Sequence, residues 1–182
     1  MLRLACLSLL ALSLFLQGCN TTLTKGSDRR TDGIYIEDGT IESTALQRIQ
    51  KKYQNKVRVE INSYNRKVLI TGEVPDEAVK SDMFRIVGTV QNVTDIYNEV
   101  KIGFHASLGE RANDDLIASN VRVRMRNTGK DFFRPDRVKV VVSHNICYLM
   151  GLVTHAEADV AIEVARTSNA VTKVVPYYEY ID

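Results

Sequence analysis

Val138-Lys139-Val140-Val141-Val142-Ser143-His144-Asn145-Ile146-Cys147-Tyr148-Leu149-Met150-Gly151-Leu152-Val153 is a second version of Val59-Glu60-Ile61-Asn62-Ser63-Tyr64-Asn65-Arg66-Lys67-Val68-Leu69-Ile70-Thr71-Gly72-Glu73-Val74, at a constant offset of 79 positions. Each copy reads as strand, tight turn, strand. Val57, Val59 and Ile61 alternate with Arg58, Glu60 and Asn62, the mark of a half-buried strand. Asn65-Arg66 supplies a two-residue turn into Lys67–Val74. A duplicated unit of this kind makes a two-module protein. It also lets each module serve as a control for the other.

The same order of elements extends outward from both hairpins. Ile41, Ala45 and Ile49 recur every four residues, with Leu46 beside them, so Thr40 to about Tyr53 reads as an amphipathic helix. After the first hairpin a second helix starts near Pro75, a residue suited to the first helical turn. Met83, Ile86, Val87 and Val90 mark its inner face. A last strand follows Val93, through Ile96 to Ile102. The second module repeats this with a helix over Asp115 to about Asn127, the hairpin Val138–Ser143 and Ile146–Val153, and a helix opened by Thr154-His155-Ala156-Glu157. That tetrad is a capping box. Ala161, Val164 and Ala165 line this helix, and Val174–Ile181 is the final strand. Val93 aligns with Val171 at an offset of 78, so one residue is lost within or near the helix before it. Val121-Arg122-Val123-Arg124-Met125-Arg126 alternates like a strand, but Ile117, Val121 and Met125 align with Ile41, Ala45 and Ile49. The repeat therefore makes it helix where propensity alone is undecided. The fold class is α+β. Two tandem domains each have a small mixed three-stranded sheet with two helices on one face (αββαβ, with room for an extra short strand). Modules this small are marginal alone, and the short join around Gly103–Arg111 brings them together, burying part of one sheet or helix.

The front of the chain carries an address. Arg3 is the only charge in residues 1–18, Leu4 to Leu16 is almost wholly apolar, and Leu16-Gln17-Gly18-Cys19 follows. This is the layout of a secretory signal, too short to span a bilayer, which needs ~20 residues. The run into Gly18-Cys19 resembles a bacterial lipobox. The resemblance implies cleavage before Cys19 and its acylation (palmitate among the chains). Asn20 lacks the aspartate that favours inner-membrane retention in such lipoproteins, which implies the outer membrane. Several acyl chains anchor stably, at ~0.8 kcal/mol per buried methylene. Residues 19–38 are polar and read as a lipidated flexible tether. The domains are then 39–105 and 106–182.

Losing Arg3 with the signal takes the formal net charge from +2 to +1. That near-neutral balance excludes a strongly basic nucleic-acid binder. Cys6 leaves with the signal and Cys19 carries lipid, so Cys147 has no partner for an internal disulfide. It aligns with Val68 on a strand and reads as a small core hydrophobe.

The hairpin ending Leu149-Met150-Gly151-Leu152-Val153, the helix after it, Val171 and a closing strand resemble the BON domain. Ile70-Thr71-Gly72-Glu73-Val74 with Val93, and Tyr97-Asn98-Glu99-Val100, follow the same pattern. Two such domains behind a lipobox resemble the dual-BON-domain outer-membrane lipoproteins, the DolP (YraP-like) group. The turns Gln91-Asn92-Val93 and Asn169-Ala170-Val171 depart from the family in lacking a common glycine. The resemblance implies a lipid-anchored protein with its domains facing the periplasm. It also implies binding of anionic phospholipid (phosphatidylglycerol, cardiolipin), recruitment to the division site, support of envelope integrity, and no catalysis or cofactor.

The duplicated first helix can be read for function on its own. With Ile117, Val121 and Met125 turned to the core, a wheel of 3.6 residues per turn puts Leu116, Ser119, Val123, Arg126 and Lys130 (if the helix reaches that far) outward. Asn120 lies among them, and Arg122 sits at the flank. The equivalent face of the first module carries Thr40, Ser43, Gln47 and Gln50. Two hydrophobes ringed by cations suit a surface of anionic lipid. Leu116, Ser119, Asn120, Arg122, Val123, Arg126 and Lys130 are therefore the candidate phospholipid contacts. Packing of Leu116 and Val123 against the other module or the tether stays open, and Arg124 reads as solvated.

No catalytic constellation emerges. His105, His144 and His155 fall in a linker, a turn and a helix start, without metal-ligand spacing. Asp114 and Asp115 sit where a helix begins and read as caps. Tyr177-Tyr178-Glu179-Tyr180 is either one core face of a strand or a protein-docking edge. The alternative function follows from the second option: a periplasmic interaction module that regulates envelope machinery for outer-membrane assembly or cell-wall hydrolysis.

Overall fold

Val68, Ile70 and Val74 alternate with Leu69 along one strand, and Cys147, Leu149 and Val153 alternate with Tyr148 and Met150 along another. All of these residues are buried. Both central strands are thus covered on both faces, which is why they read as nearly unbroken apolar runs. The computed structural model describes residues 27–182. The signal, Cys19 and the first part of the expected tether, residues 19–26, lie outside the described residues.

The first module contains α1 (Asp32–Tyr53), β1 (Arg58–Tyr64), β2 (Lys67–Val74), α2 (Glu77–Gly88), β3 (Asp95–Asn98) and β4 (Lys101–Ile102). The second contains α3 (Leu108–Arg126), β5 (Val138–Ser143), β6 (Ile146–Val153), α4 (His155–Arg166) and β7 (Lys173–Tyr180). β1 pairs antiparallel with β2, and β3 and β4 run parallel to β2. β5, β6 and β7 repeat that mixed pattern, with β7 unbroken. Helices α1 and α2 cover one face of the first sheet around Ile41, Ile49, Val68, Ile70 and Met83. Helices α3 and α4 cover the second around Ile117, Val121, Cys147, Leu149 and Ala161. Burial pushes the Cys147 thiol up to about 12, so it stays protonated and packs as a hydrophobe.

The two sheets meet back to back. Tyr64 and Leu69 of the first module pack on Val141, Tyr148 and Met150 of the second, with Tyr97 and Tyr177 at the margin. The Tyr97 and Tyr177 rings stack with centroids 3.9 Å apart. The hydroxyls of Tyr148 and Tyr177 donate to Glu99, at 3.5 and 2.5 Å. Lys139 reaches across to Glu42 at 2.5 Å and to the Ser63 carbonyl at 3.2 Å. The expected burial between modules is therefore sheet on sheet.

Two expectations need correction. First, the chain is folded well before residue 38. Thr31 caps α1, which begins at Asp32 rather than Thr40. Arg30 is buried, bonded to Asp28 at 2.6 Å and to Asp38 at 2.8 Å. Arg29 donates to the Leu152 carbonyl and to Glu157. Hydropathy cannot see this segment, because charge pairing and not apolar burial fastens it. Second, α3 begins at Leu108, where Ser107 and Glu110 form a capping box, and not at Asp115. The residue absent from the second module lies next to the helix, one of the two places expected, and not within it. α2 and α4 have the same length of 12 residues, and Pro75-Asp76 before α2 corresponds to Thr154 alone before α4.

Asp114 is no helix cap either. It accepts from the backbone amides of His144 and Asn145, at 2.8 and 2.9 Å. Asp38, at the equivalent place on α1, accepts from Asn65 and Arg66 at 2.8 and 2.7 Å and from the Ser63 hydroxyl at 2.6 Å. All four turn residues have φ between 51° and 67°, a left-handed backbone that is costly without glycine. The aspartates satisfy the turn amides and hold both hairpins in that shape. The glycine-poor turns before the last strands behave alike, with Asn92 and Ala170 at φ of 68° and 65°.

Glu157 couples the N-terminal segment to the second module. It is only 2% exposed, and it accepts from Arg29, Arg137 and the Thr154 backbone. Burial works to raise its carboxyl, but hydrogen bonds from Arg29, the Thr154 backbone and Arg137 outweigh it and hold the group at about 2 against an ordinary 4.5. A folded-state value below the unfolded one stabilises fully above about 4.5, and this contribution disappears as pH falls through about 2. Urea melts at successive pH values should show a steeper acid-side loss in the parent protein than in Glu157→Gln. Equal slopes would remove Glu157 from the acid response.

Candidate functional site: the outward face of α3

The capping box at Ser107 starts α3 two turns earlier than the apolar spacing suggests, so its outward face is longer than expected. Ile117, Ala118, Val121 and Met125 are buried inward. On the far side Leu116 is 70% exposed and Val123 42%. Neither packs against the other module. Ser119, Asn120, Arg122 and Arg126 are also exposed. Lys130 lies beyond the end of the helix, in the turn that follows, and its ammonium stands 5.9 Å from the centre of the Phe132 ring.

The arginines differ in what they are free to do. Arg122 donates to the Val140 carbonyl at 3.1 Å, tying the flank of α3 to the outer edge of β5. Arg124 is not solvated as expected. It bonds the Val164 carbonyl, the Ser168 hydroxyl and the Thr167 hydroxyl, joining α3 to the end of α4. Arg126 stands in the last turn of the helix, where a cation also complements the dipole, and Lys130 follows it in the next segment.

Three further exposed apolar residues were not anticipated. Leu108 is 74% exposed, Phe132 53%, and Phe104, in the link between modules, is fully exposed. Leu108 became legible only once the helix start was known. Phe104 and Phe132 sit in irregular segments, where periodicity gives no signal. The outer side of α1 is exposed at Thr40, Ser43, Gln47 and Gln50 as expected. It is not wholly polar, because the extra turns add Ile36, which is 59% exposed.

The tyrosine-rich strand is divided. Tyr177 lies in the seam between sheets, Tyr178 packs on the second core, and Glu179 holds Asn65 at 2.9 Å. Tyr180 remains outside, stacked on His155 with centroids 4.0 Å apart. Among the described residues no group of His, Cys, Asp and Glu is arranged to hold a metal ion. No helix among them is long and apolar enough to cross a membrane.

The pattern of the BON domain matches the chain twice, over residues 37–103 and 113–178. The chain is 30% identical over 184 residues to the outer membrane lipoprotein DolP of Haemophilus influenzae, covering 96% of this chain and 94% of that one. It is 28% identical over 160 residues to the 21 kDa hemolysin of Actinobacillus pleuropneumoniae, covering 87% and 81%. The solved C-terminal domain of CdsD, the structural protein of the Type III secretion system of Chlamydia trachomatis, overlaps 84% of this chain and 99% of that one. Its TM-score is 0.32 at 13% identity, too slight a likeness to carry an argument.

Proposed function

We propose that this chain, which belongs to the BON domain family and carries two copies of the domain in tandem, is an outer-membrane lipoprotein whose α3 binds anionic phospholipid. Cys19 is the anchor, and the domains face the periplasm. The role is non-enzymatic: lipid contact by α3 supports envelope integrity and recruits the protein to the division site. The relative named as an outer membrane lipoprotein supports the address. The exposure of Leu116 and Val123 beside Arg126, on a face that is mostly polar in the other module, carries the lipid contact.

The chemistry is that of an interfacial helix. Leu116 and Val123 enter the boundary between headgroups and acyl chains, while Arg126 and Lys130 meet phosphates. Each cation near an anionic leaflet contributes ~1 kcal/mol. Affinity from so small a patch is weak, and the lipid anchor supplies the effective concentration that makes it useful. A docking strand for envelope proteins is less well supported, because Tyr177 and Tyr178 are occupied within the fold.

The chain from Asn20 onward contains every described element and can be mixed with vesicles. It should sediment with vesicles containing phosphatidylglycerol or cardiolipin and not with phosphatidylcholine alone. Binding should fall steeply as salt rises from about 0.1 M to about 1 M, where the screening length shrinks from ~10 to ~3 Å. Equal sedimentation with neutral vesicles would refute the anionic-lipid reading.

A further inference from the structure

The seam between the two sheets is apolar along most of its length but opens at one end into a polar cleft of about 290 Å³. Its floor is the face of the first sheet turned to the second module. Two cross-strand pairs stand there, Arg58 opposite Glu73 and Glu60 opposite Thr71. Strand alternation puts Thr71 and Glu73 on the same side as Leu69, a residue of the seam. Arg111 and Asp115 of α3 complete the walls.

Two groups in this cleft are anomalous. Thr71 is 1% exposed and Glu73 4%, yet Thr71 Oγ1 and Glu73 Oε2 have no hydrogen-bond partner among the described residues. The other Glu73 oxygen lies 3.0 Å from His144 Nε2. A buried hydroxyl and half a carboxylate left unsatisfied are expensive. The duplicate module shows that the fold does not need them. At the same strand positions it carries Met150 and Leu152, so this scaffold tolerates apolar residues there. Partial burial, and after it the Asp115 carboxylate, push Glu60 above its ordinary range.

We propose that this cleft binds a small zwitterion, with its ammonium against Glu73 and Thr71 and its acidic group against Arg58 and Arg111. An ammonium brings three donors, enough for the free Glu73 oxygen and the Thr71 hydroxyl together. A guanidinium presents a planar fork that fits a carboxylate or a phosphate. Among the described residues neither Arg58 nor Arg111 is tied into an ion pair, whereas Arg122 and Arg124 are committed to the fold. The volume suits a dipeptide or an ethanolamine phosphate, and this shared chemistry leaves two sources: a peptide end or a lipid headgroup. The site is separate from the outward face of α3 and does not depend on the reading of that face.

Amide NMR spectra of the chain from Asn20, titrated with alanylalanine, glycerophosphoethanolamine and glycerol phosphate, test the assignment. One zwitterion should shift the amides of Thr71, Glu73 and Ser143 saturably, and which one does so identifies the source. Glu73→Gln should weaken that binding tenfold or more with the rest of the spectrum retained. Thr71→Val should weaken it too, while raising the melting temperature of the ligand-free protein by removing an unpaired buried hydroxyl. The assignment is overturned if neither zwitterion saturates, if glycerol phosphate alone does as well, or if both variants bind as the parent does.

Discussion

The Leu116→Glu/Val123→Glu double variant is expected to lose about a hundredfold or more of its affinity for phosphatidylglycerol vesicles while melting at nearly the parent temperature. Fully burying a Leu or Val is worth roughly 1.5–3 kcal/mol, and at a membrane interface only part of that is realised for each. The replacements add two carboxylates facing an anionic leaflet, at a cost of about 1 kcal/mol for each charge. Together these exceed the ~2.7 kcal/mol that corresponds to a hundredfold change. Stability should hold because both positions are exposed, at 70% and 42%, and solvent-facing substitutions usually change stability by less than about 0.5 kcal/mol. Co-sedimentation and a thermal melt of the same preparation read both quantities. Parent-like vesicle binding would remove α3 from the lipid contact and leave the role to other surfaces. Arg122→Ala makes a useful comparison: its bond to the Val140 carbonyl predicts a smaller effect on lipid than that of Arg126→Ala.

The second large effect is on folding. Asp38→Ala should destabilise the protein by about 3–5 kcal/mol, the range for removing one partner of a buried charge pair. Asp38 is 2% exposed. Its carboxylate holds the Arg30 guanidinium, the Ser63 hydroxyl and the amides of Asn65 and Arg66. Alanine leaves four donors unmet and releases a turn whose two residues both have positive φ. It also loosens Arg30, which stacks over the Tyr64 ring at 4.0 Å, beside the seam between modules. Asp114→Ala removes the partner of only two amides in the other hairpin, so its cost should be about 1–3 kcal/mol. Urea unfolding of the two variants measures the difference. Equal and small losses would show that the turns hold themselves.

These two residues show why one part of the molecule was legible and another was not. Leu116 and Val123 could be found because the duplicate helix gave a reference, and a helical wheel converts spacing into direction. Asp38 and Asp114 share an offset of 76 with Ile41 and Ile117, so the repeat contained that signal as well. Asp114 reads instead as a cap, the commoner role of an acidic residue near a helix start, and Asp38 falls at the end of the polar stretch that reads as tether. Only contact with a hairpin far along the chain reveals the other role. The order of the polar segment 27–31 is hidden in the sequence for a related reason: composition measures how much apolar area a segment can bury, not whether its charges will meet partners.

The sequence by itself determined the local elements and their order. Periods of 2 and 3.6, a capping box and a tight turn are short-range constraints, and the limits of β2, β5 and β6 follow from them. It also determined the duplication, and with it the family. Only the tertiary structure decided which faces meet: sheet against sheet, Tyr97 on Tyr177, and the N-terminal segment locked by Arg29 and Arg30. It likewise decided that Arg124 is committed to the fold while Leu116 stands free. Such pairings join residues far apart in the chain, and their energies depend on distance and on exclusion of water, quantities that no local pattern encodes.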